Sequence, residues 1–198
     1  MINRIAISKP RPFVRTLDYT DIRSYVFTGI FVLLSVAVPW GFHQFHLAGA
    51  TLLPMHIFVF VAGLLFGWRT GLFVGLLTPL ASYAASGMPV LQILPQIIVE
   101  LSVYGLVAGI LRERFNLRVI WALLGAMTAG RLALAIAVTV IYLITGKPYS
   151  PVGLETNPLV VVWSAVKQGW PGIVIQLSLI PVIIWLVEIL AAKTSRSR

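Results

Sequence analysis

The chain has no cysteine, which excludes a disulfide, an iron–sulfur cluster and a thiolate metal site. Acidic residues are scarce, six in 198, and the apolar segments hold no pair of carboxylates spaced for acid–base catalysis. Charged residues of both signs together make up 11%, against about 25% in a soluble domain. That shortage excludes a soluble fold. Apolar residues reach 59% and mean hydropathy is +0.94, and lipid is the solvent that accepts so much apolar surface. The phosphate-cradling pattern G-x-x-x-x-G-K-[ST] is also missing. Gly146-Lys147 runs straight into Pro148 with no glycine pattern upstream, so no ATPase site is expected.

What remains is an all-α integral membrane pattern. Six apolar segments span residues 24–45, 51–67, 70–86, 90–111, 118–145 and 158–190. Each of the first five suits one crossing of about 20 residues. The sixth is longer, and Pro171 and Pro181 are expected to kink or break it, because proline removes a backbone donor and clashes with the preceding turn. The expected organisation is a basic cytoplasmic segment over residues 1–23, a six-helix membrane bundle over 24–190, and a basic tail over 191–198. The first segment carries five Lys/Arg and two Asp and has no long apolar core, unlike a cleaved signal peptide.

A net charge of +9 would suggest nucleic acid in a soluble protein. Here the basic residues gather in loops and tails, so they report topology and no nucleic-acid partner is expected. Twelve of fifteen fall on one side: five in the first 23 residues, Arg69, Arg112, Arg114, Arg118, Lys193, Arg196 and Arg198. Lys147 falls on the other. The positive-inside rule then places both termini in the cytoplasm, which agrees with an even number of spans. Small residues mark where helices approach. Gly63, Gly67, Gly71 and Gly75 recur every four residues, as do Gly105 with Gly109, and Gly125, Ala129, Ala133 and Ala137. Such stripes pack a bundle internally or meet a membrane partner.

Three charges lie within spans: Glu100, Arg131 and Lys167. Each costs about 2.5–3.5 kcal/mol at a helix centre on insertion scales, so each needs a partner, water or a function. Depths read from the segment ends, about 1.5 Å per residue, let all three meet near the midplane or in the outer half. One carboxylate against two cations leaves a surplus of +1. Either Glu100 and Arg131 pair while Lys167 reaches outward, or an anionic ligand completes the balance. The stretch Lys167-Gln168-Gly169-Trp170-Pro171-Gly172 sets a cation, an amide and an indole beside an expected helix break. Gln96 adds an amide, and Trp163 and Tyr83 add stacking surfaces. His43, His46 and His56 lie near the outer ends of the first two spans, without the carboxylates a metal site would need, so no metal is expected. Ala84-Ala85-Ser86-Gly87 partly matches the nucleophile loop of intramembrane serine proteases but lacks its first glycine, and reads as a helix C-terminal turn.

Leu53-Pro54-Met55-His56-Ile57, then Ala62-Gly63-Leu64-Leu65-Phe66-Gly67, Gly71, Val74-Gly75 and Thr78-Pro79-Leu80, form one set of motifs. Ser86-Gly87-Met88-Pro89, Glu100-Leu101, Tyr104-Gly105-Leu106 and Gly109 form a second. Together, over residues 40–114, they resemble the substrate-binding S components of energy-coupling factor (ECF) vitamin transporters. The resemblance implies capture of a water-soluble vitamin or precursor in an outer-half pocket, no ATPase of the chain's own, and no cofactor. It implies partnership with a transmembrane coupling subunit and two ATPase subunits, in the plasma membrane of a prokaryote. The first span lacks the Ala-x-x-x-Ala pair that many such proteins use for docking. Nickel and cobalt members bind metal through an N-terminal Met-His-Ile. Met55-His56-Ile57 is internal, has no free amine, and does not carry that chemistry.

The expected pocket comprises Glu100, Arg131, Lys167, Gln168 and Trp170, with His56 and Gln96 as polar seconds and Trp163 or Tyr83 as stacking surfaces. No catalytic residue is expected. The surplus positive charge favours a carboxylate or phosphate ligand such as pantothenate, and a neutral aromatic precursor of the benzimidazole type stays open. The alternatives are a six-span scaffold of cell-envelope assembly without a small-molecule pocket, and an intramembrane hydrolase built on Ser86 and a histidine.

Overall fold

A computed structural model of the chain describes residues 22–44, 49–150 and 153–196. The basic segment up to Asp21, His46 and Arg198 lie outside the described residues. Helix α1 spans Ile22–Gln44, the single turn α2 Gly49–Leu52, α3 Pro54–Ser86, α4 Leu94–Glu113, α5 Val119–Thr145 and α6 Pro158–Arg196. Between α5 and α6 a two-residue antiparallel pair joins β1 (Tyr149–Ser150) to β2 (Gly153–Leu154), an element the sequence reading did not anticipate. Among the described residues four helices are long and apolar enough to cross a membrane, and Tyr25–Gly41 in α1 is a shorter apolar helix.

Helix α3 holds two of the predicted segments, because it doubles back at Gly67. That residue has φ 88° and ψ 175°, a conformation open essentially to glycine alone. In a straight helix Gly63 and Gly71 would stand about 12 Å apart. Here a Cβ added to Gly71 would fall 2.7 Å from the Gly63 Cα. Both glycines also face the carbonyl of Gly105 on α4, and Gly109 meets the backbone at Trp68. Backbone thus packs on backbone at the centre of the molecule, and this glycine stripe serves internal packing. The Trp68 amide, released from helical bonding by the turn, donates to Glu113 Oε2 at 3.2 Å.

The core grows outward from this crossing. Val59, Phe60, Leu64 and Val74 of α3, Leu101 and Ala108 of α4, Ala122, Leu123 and Ala126 of α5, and Ile180 and Ile184 of α6 are all buried together. At the end that carries Arg69, Arg112 and Glu113, an Arg112–Glu188 ion pair ties α4 to α6. Ser35 and Thr78, 2.7 Å apart, join α1 to the second arm of α3.

Helix α6 corrects one expectation. It runs as one helix through Pro171 and Pro181 and does not break. The glycines of the 167–172 stretch serve close approach instead. A Cβ on Gly172 would meet the Leu52 carbonyl oxygen at 2.7 Å, and one on Gly169 would meet Leu53 Cδ1 at 2.8 Å. The chain at α2 and the start of α3 lies against α6 through these two gaps.

Candidate functional site

Helix α4 presents Gln96, Glu100 and Tyr104 at intervals of four, a spacing that stacks side chains on one face. All three are buried. Tyr104 Oη donates to Glu100 Oε1 at 2.7 Å. From α5, Arg131 Nη1 approaches the same oxygen at 2.8 Å. The neighbouring Gly130 leaves room for the Tyr104 ring, into which any Cβ would project. A carboxylate, a phenol and a guanidinium therefore form one network inside the bundle, where low dielectric strengthens each contact.

His56 approaches from the first turn of α3. Pro54 occupies the helix start, where a missing N–H costs least. Leu53 before it has φ 50° and ψ 46°, left-handed and uncommon for leucine. Its carbonyl accepts two donors that hold this geometry, the His56 amide at 3.1 Å and Gln176 Nε2 of α6 at 3.3 Å. The His56 ring sits 5.5 Å from that of Tyr104, and its Nδ1 is buried with no hydrogen-bond partner among the described residues. A buried nitrogen left without a partner is uncommon.

These groups border a cavity of about 490 Å³, within the range of small-molecule sites. His56, Glu100, Arg131 and Gln168 are its charged and amide-bearing or imidazole walls, with Ser82 and Ser86 adding hydroxyls. Trp40, Met55, Met88 and Ile97 are among its apolar walls. The lining draws on the end of α1, both ends of α3 and the start of α4, the end of the bundle opposite Arg69 and Arg112.

Of the nine predicted residues, four line this cavity: His56, Glu100, Arg131 and Gln168. Gln96 is buried nearby but donates through Nε2 to the Tyr149 carbonyl at 3.1 Å, tying α4 to the β1–β2 turn. Lys167 is exposed, with its ammonium 5.5 Å from the Trp163 ring centroid. Trp163, Trp170 and Tyr83 are exposed and do not border the cavity. Ser86 lines it, but its hydroxyl donates to the Ser82 carbonyl at 2.8 Å and pairs with no histidine among the described residues. The turn after it is a helix C-terminus, capped by Gly87 at φ 70°. No group of three or more His, Asp or Glu side chains that could hold a metal occurs among the described residues.

The sequence reading did not count Tyr104, Gln176 or Trp40 among the pocket residues. Tyr104 was within reach of it, four residues after Glu100 on one helix face. Gln176 is the lone amide in an apolar run, a signal of the same kind as the intramembrane charges. Trp40 carries no comparable sign.

A family model described as "ECF transporter, substrate-specific component" matches residues 22–184. No curated protein and no solved structure matches the chain.

Proposed function

We propose a function on this premise: the chain belongs to the family of ECF transporter substrate-specific components. It is a multi-pass membrane protein and the substrate-binding subunit of such a transporter. Our reading is that it captures a water-soluble vitamin or vitamin precursor in the 490 Å³ cavity and passes it inward with a transmembrane coupling subunit and two ATPase subunits. In this reading α1, the two arms of α3, α4, α5 and α6 cross a prokaryotic plasma membrane six times. Both termini are cytoplasmic, and the cavity opens outward, away from the arginine-rich end.

The observation that carries the reading is the Arg131–Glu100 pair, with His56 and Gln168 beside it, on the wall of a cavity large enough for a vitamin. Arg131 supplies further N–H donors to a ligand acceptor, His56 one ring nitrogen, Gln168 an amide, and Trp40 an aromatic face. The charge balance revises the ligand class. Lys167, the source of the surplus in the sequence reading, lies off the cavity wall, and Glu100 and Arg131 cancel. A net-neutral or zwitterionic ligand with paired donors and acceptors therefore suits the cavity better than a simple anion.

Native mass spectrometry of gently purified protein tests the proposal. The expected result is a co-purifying small molecule that Arg131→Met loses. The scaffold alternative expects no bound molecule and no vitamin that raises thermal stability. That pair of results would remove the capture function.

A further inference from the structure

A second cavity reaches the same network from the side. It measures about 410 Å³ and lies between α5 and α6. Leu53, His56 and Arg131 border both cavities, so the two meet at one guanidinium and one imidazole. Tyr104 and Gln176 complete the polar floor of the second. Apart from Thr128, whose hydroxyl donates to the Leu124 carbonyl, its walls are apolar: Met127, Leu132 and Ala135 from α5, Val162, Val166 and Ile173 from α6. The flank around it exposes Leu132, Ile136 and Trp170. In a bilayer such a flank faces hydrocarbon.

We infer that the ligand is amphipathic, with a net-neutral polar head at Arg131 and His56 and an apolar arm lying in the α5–α6 groove. The inference rests on the proposed capture function and narrows its substrate class. A ligand confined to the first cavity leaves the second unused. A lipid acyl chain alone could fill the groove but offers nothing to the Arg131 guanidinium or the His56 imidazole, whose residues border both cavities. One molecule with both parts satisfies both walls. The head carries an acceptor for the guanidinium and a donor or acceptor for the imidazole, as a primary amide does. The arm is unbranched or slender, because the groove lies between two helices.

Straight-chain primary amides from propanamide to octanamide test this with the full-length protein in nanodiscs, by dose-dependent thermal shift referred to free aqueous concentration. Each added methylene is expected to tighten apparent binding about fourfold until the groove is filled. Leu132→Trp, at a lipid-exposed position, and Ala135→Phe block the groove and are expected to collapse the octanamide-to-propanamide ratio at least tenfold. A ratio near one in the unaltered protein overturns the inference, as does an equal ratio in both groove variants, which would report partition into lipid. Arg131→Met separates the two levels. If it weakens every amide while chain length has no effect, the capture site stands and the apolar arm falls. If it weakens none while the chain-length ratio persists, the head-group site at Arg131 falls instead, and with it the amphipathic ligand.

Discussion

Glu100 Oε1 accepts both the Arg131 guanidinium, at 2.8 Å from α5, and the Tyr104 hydroxyl, at 2.7 Å from its own helix. One oxygen thus joins two helices and borders the cavity. Removing one partner of a buried pair leaves an uncompensated charge, at a cost of about 3–5 kcal/mol. Arg131→Met is therefore expected to lower the thermal midpoint sharply. Adding Glu100→Gln to it should restore most of the loss, since the remaining groups are uncharged. Differential scanning fluorimetry of the two single variants and the double variant checks this. Additive losses would show that the pair does not couple.

Tyr104→Phe removes one hydrogen bond to a charged acceptor and leaves the ring in place against His56 and Phe60. A loss of about 1.5–3 kcal/mol is expected. Unfolding monitored by tryptophan fluorescence, with Phe and Leu compared at position 104, separates the hydroxyl from the ring.

The glycine crossing predicts a contrast. A Cβ at Gly105 runs into the Gly71 backbone, which has no flexible end to move aside, whereas one at Gly29 meets nothing within 4 Å. Gly105→Ala is expected to cost at least about 1–3 kcal/mol. Gly67→Ala forces alanine into a glycine-only conformation and should cost about 1–3 kcal/mol. Gly29→Ala should stay within about 0.5 kcal/mol. Equal midpoints for the three variants would contradict the packing described.

Lys167 and Gln168 are adjacent but face different surroundings. Lys167 lies outside on Trp163, while Gln168 borders the cavity. Lys167→Ala is expected to change affinity for the co-purified ligand by no more than about twofold, as for a surface substitution. Gln168→Ala should weaken it about five- to tenfold, the loss of a hydrogen bond of about 1–1.5 kcal/mol. Titration calorimetry in detergent decides between them, and the reverse order would return the surplus charge to the site.

Much of the architecture was legible in the chain, and the family with it. Except that α6 continues to Arg196, the apolar segments appear as helical segments within a few residues of the expected bounds, because long apolar runs in lipid have only the helix available. The expected segments 51–67 and 70–86 part at the place where α3 turns at Gly67. The site was legible only in part. Glu100 and Arg131 stood out because charge inside an apolar run is rare. Lys167 stood out for the same reason, yet depth along a helix says nothing of which face a side chain takes, and its face is the outer one. Pro171, with Gly169 and Gly172 beside it, suggested a broken helix. Glycine also appears where another backbone comes close, and Leu52 and Leu53 pressing on α6 is a contact no local pattern reveals.

Composition and apolar run length by themselves determined a helical membrane protein, because apolar surface and unpaired backbone groups have one common solution in lipid. The motifs around residues 40–114 carried the family resemblance, and the spacing of small residues announced close helix packing. Only the tertiary structure decided which polar groups meet. The pairing of Glu100 with Arg131 depends on how α4 and α5 are rotated about their axes, and the cavity on how both ends of α3 return to one side. Those rotations are set by the Gly67 turn and the backbone crossing at Gly63, Gly71 and Gly105, contacts between residues far apart in the chain.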